Sequence, residues 1–207
     1  MVLLEKLFRD FMLMWTTIDP IGNLALFAGL TASLQRAERK RVARRASIYA
    51  AIILVGAVVI GQIVLDAMGI HLLSLKLAGG IILFLFSLQM LFGSMESGNA
   101  SSEEGRDIAV FPLAVPAIAG PGTIMAVILL TDNDVYTIPQ QAQTAAVLLL
   151  VLVLNYVMLL LADAVLRVIG RQGASILVRI MGIILAALSV EFVMSALAIA
   201  PWATVKT

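Results

Sequence analysis

The sequence predicts an all-α membrane protein with six transmembrane helices arranged as two inverted 3+3 repeats, the first and fourth helices being interrupted. Three observations carry this expectation. Of the 207 residues, 61% are hydrophobic and 13% charged, and the mean hydropathy is +1.05; soluble domains lie nearer half apolar and a quarter charged. Gly80-Ile81-Ile82-Leu83, followed by Ser87 and Gln89, returns as Gly182-Ile183-Ile184-Leu185, followed by Ser189 and Glu191, an offset of 102 residues. An apolar segment broken at Asp19-Pro20-Ile21-Gly22-Asn23 has a counterpart broken at Ala119-Gly120-Pro121-Gly122-Thr123. Breaks at corresponding places of two halves point to a binding site more than to packing.

The apolar runs 7–30, 46–68, 72–92, 110–130, 144–166 and 176–200 are each long enough to cross a bilayer. They lack the alternating polarity of barrel strands, so helices are expected throughout. Residues 94–105 are small and polar and form the one linker between halves. The organisation is therefore 1–97 as the first repeat, 98–105 as polar linker and 106–207 as the second repeat, all in one membrane domain.

Lys and Arg set the orientation. Arg36, Arg39, Lys40, Arg41, Arg44 and Arg45 fall in the first connection, Arg106 in the linker, and Arg167, Arg171 and Arg179 in the fifth connection. These ten share one side, against Lys6, Arg9, Lys76 and Lys206 on the other. The first set is expected in the cytoplasm and both termini outside. Three spans per half is an odd number, so the second half enters the membrane in the opposite sense. That topology recurs in carriers that work by alternating access.

Composition also excludes functions. A net charge of +1 argues against a nucleic-acid partner, and the absence of cysteine removes disulfide and thiol chemistry. The N-terminus makes a poor signal peptide, because Glu5 and Asp10 accompany Lys6 and Arg9 and no small-residue cleavage site follows. Nucleophile–base pairs, zinc-ligand clusters and phosphate loops are not legible, so neither an enzyme nor a cofactor or metal is expected. His71, the one histidine, reads as a solvated loop residue.

The breaks carry the candidate chemistry. Pro20 removes a backbone donor and Gly22 allows unusual dihedrals. Asp19 before Pro20 reads as an N-cap with proline at the first helical position, and Gly120, Pro121, Gly122 and Thr123 do similar work in the second half. Two half-helix N-termini meeting at mid-membrane suit a carboxylate. The blander alternative is a pair of proline kinks. An aspartate at that depth costs on the order of 2.5–3.5 kcal/mol, so Asp19 should face a polar cavity. It can cap its own half-helix, hold a substrate ammonium, or bind Na⁺ or H⁺; these roles are compatible. Thr16, Thr17, Asn23 and Thr123 can supply oxygens or amides, though each can equally bond its own backbone.

Glu191 and Gln89 hold equivalent places, an acid in one half against an amide in the other. Glu191 is a candidate proton carrier or a paired glutamate between helices. Gln89 and Asn155 read as inter-helix bonds. Asp163 and Arg167 read as a surface pair, Lys76 and Arg179 as snorkelling cations, and Gly56, Gly61, Gly79, Gly80 and Gly182 as sites of close helix packing. The basic stretch 36–45 sets topology or meets anionic lipid.

At these residues the chain resembles the MarC family of integral membrane proteins. Asp-Pro-Ile-Gly-Asn with the apolar run to Thr31, Ala-Gly-Pro-Gly-Thr after Val115-Pro116, and the Gly-Gly-Ile-Ile-Leu helix carry the likeness over nearly the whole chain. The resemblance implies a multi-pass protein of the bacterial inner membrane or an archaeal membrane, classed with carriers of small neutral amino acids. The expected function is secondary transport of such zwitterions, with Na⁺ or H⁺ as coupling ion, in a lipid bilayer and with homo-oligomers allowed. The alternatives are an exporter of other small metabolites, or a non-transporting assembly or regulatory protein.

Overall fold

The computed structural model describes residues 2–92 and 107–198. Polar linker 98–105, Arg106, and the C-terminal end of the sixth expected span lie outside those residues. Every regular element among the described residues is helical. The first span comprises α1 (Val2–Ile18) and α2 (Pro20–Leu30), separated by Asp19. Helices α3 (Arg36–Ala67) and α4 (Leu72–Phe92) follow. An irregular helical segment, Ala109–Ile118, then leads into α5 (Pro121–Leu130). Helices α6 (Ile138–Leu160) and α7 (Ala162–Ala196) complete the bundle, α7 being broken at Gly170, where φ is 68°.

Five of these stretches are long and apolar enough to cross a membrane. The irregular segment and α5, bent by 52° at their junction, are a broken sixth span or a re-entrant loop. The segment departs from helix at Phe111 (φ −130°, ψ 127°) and Val115 (φ −132°, ψ 126°). Both residues precede a proline, whose ring disfavours the helical region for its neighbour.

Polar contacts fix the direction of each crossing. Arg39 of α3 pairs with Asp163 at 2.5 Å, and Arg45 with Asp107 at 2.6 Å. The start of α3, the α6–α7 junction and the start of the irregular segment thus share one end of the bundle. At the other end Gln62 of α3 donates to Asp132 Oδ1 at 3.3 Å and accepts from the Asn133 amide at 2.7 Å. The first end is basic and the second acidic. Helix α2 runs toward the basic end and α5 toward the acidic end.

The start of α3 corrects one expectation. Residues 36–45 are not a loop but the first turns of a 32-residue helix. Glu38 accepts from the Gln35 amide at 3.2 Å and starts the helix. Hydropathy reports where lipid begins, and the helix begins ten residues earlier. Asp163 likewise pairs with Arg39 rather than serving only as a local partner of Arg167.

Packing rests on shape, since lipid is as apolar as a leucine side chain and gives burial little advantage. Ala43, Ala46 and Ala50 place a small-residue face of α3 in the main core beside Met14, Leu113 and Leu148. Helices α4 and α7 cross through their glycines. A Cβ on Gly80 would lie 3.0 Å from the Ser189 carbonyl oxygen, and one on Gly182 would lie 3.3 Å from that of Ser87. Gly61 and Gly79 also sit against side chains, of Ile128 and Met125, but Gly56 faces open space and is no packing glycine.

Candidate functional site

The two breaks come together half-way along the bundle. Helix α1 ends at Ile18, and Asp19 adopts a left-handed conformation, φ 51° and ψ 69°. Aspartate is one of the few residues with a side chain that enters this region readily. Its carboxylate turns over the start of α2 and Oδ1 accepts from the Gly22 amide at 3.0 Å. Gly22 is required there, because a Cβ would fall 2.1 Å from Asp19 Oδ2. Pro20 supplies the first helical position, where no amide is needed.

The interruption leaves carbonyls of the last turn of α1 to be satisfied. Two side chains do this. Asn23 Nδ2 donates to the Ile18 carbonyl at 2.6 Å, and Thr123 Oγ1 donates to the Thr17 carbonyl at 2.9 Å. The second bond joins the first break to the second across 106 positions of sequence. Asn23 Nδ2 also reaches Asn155 Oδ1 of α6 at 3.2 Å. Asn155 is fully buried, and its own Nδ2 has no hydrogen-bond partner. Asp19, Thr17, Asn23, Thr123 and Asn155 thus form one buried polar cluster where α1, α2, α5 and α6 meet.

The second break differs in one respect. Gly120 caps α5 and has no side chain to offer its first-turn amides, so the start of α5 lacks the carboxylate that covers the start of α2. A Cβ on Gly120 would lie 2.6 Å from the Pro116 carbonyl, and one on Gly122 2.1 Å from Leu83 of α4. Both glycines are buried, whereas Pro121 is exposed.

Thr16 is half-buried and bonds its own turn, to the Met12 carbonyl at 2.8 Å; Thr17 does the same toward Leu13 at 2.9 Å. Gln89 and Glu191 do not join the cluster. Both are exposed, near the C-terminal ends of α4 and α7. Those helices are antiparallel, since Gly80 meets Ser189 while Gly182 meets Ser87. Equivalent positions beyond the crossing therefore diverge toward opposite ends.

A second buried charge was not legible as such. Asp10 of α1 is fully buried, with Lys6 Nζ at 2.5 Å and Thr144 Oγ1 at 2.7 Å from its Oδ2. Lys6 Nζ also lies 4.6 Å from the centre of the Tyr136 ring. The sequence places Asp10 among flanking charges, and only the packing of α6 on α1 encloses it.

Residues 4–200 match the profile of the MarC family integral membrane proteins. A UPF0056 membrane protein of Archaeoglobus fulgidus is 39% identical over 94% of this chain and 93% of its own. One from Methanocaldococcus jannaschii is 36% identical over 93% of this chain and 96% of its own. The UPF0056 inner membrane protein MarC of Escherichia coli K12 is 32% identical over 86% of this chain and 87% of its own. No solved structure matches the chain.

Proposed function

The chain belongs to the MarC family of integral membrane proteins, and from that membership and the paired breaks we propose that it is a secondary transporter of small neutral amino acids. The observation that carries the reading is the bond from Thr123 to the Thr17 carbonyl, which sets the start of α5 beside Asp19. A zwitterion needs a negative group and a positive field a few ångströms apart. Asp19 and the carbonyl end of α1 supply the first; the start of α5, free of any side-chain cap, supplies the second. The substrate ammonium would face Asp19 and its carboxylate the amides of Gly122 and Thr123. Asn155 Nδ2, buried and unpartnered, offers one more donor.

The pattern of helix contacts supports the same reading. We read the halves as an inverted repeat, because their contacts exchange. Helix α1 packs on α6 as the irregular segment packs on α3, and α2 packs on α7 as α5 packs on α4. Leu83 and Leu185, 102 residues apart, are both buried at the α4–α7 crossing. Asp19 is only 5% exposed, so loading requires motion of one half against the other. Na⁺ or H⁺ remains the coupling ion of this reading, the basic end faces the cytoplasm, and the polypeptide acts as a carrier, not an enzyme.

A second reading, helix glue without transport, is favoured by the Asp19 cap and by the Asn23–Asn155 bond. Analogues separate the two. Glycine and alanine should raise the melting temperature of the purified protein; glycinamide, lacking the carboxylate, and propionate, lacking the ammonium, should not. Indifference to all four would favour glue.

A further inference from the structure

The basic end of the bundle holds a cavity of about 430 Å³ that the breaks do not use. Arg36, Arg39 and Lys40 reach it from the first turns of α3, and Asp163 and Arg167 from the first turns of α7. Four cations face one carboxylate. Arg39 is already engaged: it pairs with Asp163 at 2.5 Å, donates to Thr31 Oγ1 at 3.0 Å and lies 5.5 Å over the Phe27 ring. Arg36, Lys40 and Arg167 are exposed around it. The start of α3 opens on the same space, and at the α6–α7 junction the end of α6 meets the start of α7, so the sign of the cavity comes from its side chains.

The opposite end tests whether shape alone explains this. A cavity of about 490 Å³ lies at the corresponding place, between the end of α3, the start of α4 and the α5–α6 loop. It is lined by Asp66, Asp132, Asp134 and His71. The architecture provides a cavity at each end, and the side chains give the two opposite signs.

We propose that the basic cavity binds the phosphate group of an anionic phospholipid. Arginine forks match phosphate oxygens. The wall beside them is apolar and exposed, with Leu160 and Leu161 40% and 48% exposed. A phosphodiester carrying acyl chains satisfies both surfaces, whereas a small soluble anion satisfies only the first. The inference is independent of the transport reading.

The test is titration of the purified full chain in detergent with short-chain phosphatidylglycerol, phosphatidylcholine and inorganic phosphate, read by native mass spectrometry. Saturable binding of phosphatidylglycerol is expected, well above that of phosphatidylcholine. Arg36→Gln with Lys40→Gln should weaken it about 30-fold, from about 1 kcal/mol per cation. Arg41→Gln with Arg44→Gln removes the same charge from exposed positions on the same helix outside the cavity, and should change it by less than about threefold because solvent screens distant charges. If the first pair fails to fold, Arg167→Gln on α7 should by itself cost about fivefold. Equal loss in both pairs would mean diffuse attraction and overturn the site. Saturable binding of inorganic phosphate, lost in the same variants, would overturn the lipid as its source.

Discussion

Asp19→Asn separates the charge of this carboxylate from everything else the residue does. Asparagine enters the left-handed region that Asp19 occupies at φ 51°. It caps a helix about as well as aspartate does, so the bond from the Gly22 amide at 3.0 Å survives. Its volume is nearly the same, so the Cβ-free space at Gly22 stays sufficient. Stability should therefore change by no more than a few tenths of a kcal/mol. Asp19→Ala would instead lose the cap, about 0.5–2 kcal/mol, and force a left-handed alanine, about 1–2 kcal/mol more. Function is another matter. A charge-assisted bond to an ammonium is worth about 1.5–3 kcal/mol, so its loss should weaken apparent affinity about 10- to 150-fold. The assay is uptake of labelled alanine into liposomes at matched protein content, with melting temperatures of both proteins in detergent. Unchanged uptake by a variant that melts with the wild type would reduce Asp19 to a cap.

Other outcomes follow from the same geometry. Asn155→Leu should leave the fold intact, because Asn23 keeps the Ile18 carbonyl, yet lower transport about tenfold by removing a buried donor; uptake at the wild-type rate would remove Asn155 from the site. Gly80→Ala should lower the melting temperature, with a strain of about 1–3 kcal/mol against the Ser189 backbone, whereas Gly56→Ala, facing open space, should hold or raise it. Glu191→Gln and Gln89→Leu, both at exposed positions, should each retain transport and its pH profile; loss of pH dependence in Glu191→Gln would restore Glu191 as a proton carrier. A fluorescent reporter that matures only in the cytoplasm should stay dark at the C-terminus, and a bright one would refute the orientation.

What the sequence revealed depended on how local the governing physics is. The breaks were legible because proline and glycine act on their own backbone: Asp19 turns at Pro20, and α5 starts at Pro121. The apolar runs were legible because lipid imposes a length. The helical turns from Arg36 were hidden, since charge marks the membrane boundary and not the helix end. Asn155 meets Asn23, Asp10 meets Thr144 and Arg39 meets Asp163 across more than a hundred residues each, and no periodicity announces these pairs. Gln89 and Glu191 lie apart for a definable reason. In an antiparallel pair, equivalent residues meet only near the crossing, here between Gly80 and Ser87. Gln89 lies roughly 8 Å beyond the middle of that interval along its helix, and Glu191 a similar distance the other way.

The measurement closest to the central claim is uptake of labelled glycine and alanine by the purified protein in liposomes, with Na⁺ and pH gradients imposed separately. Saturable uptake is expected, driven by at least one gradient and competed by unlabelled neutral amino acids. Uptake no greater than that of protein-free liposomes under every gradient, from protein that is folded and inserted, would refute transport.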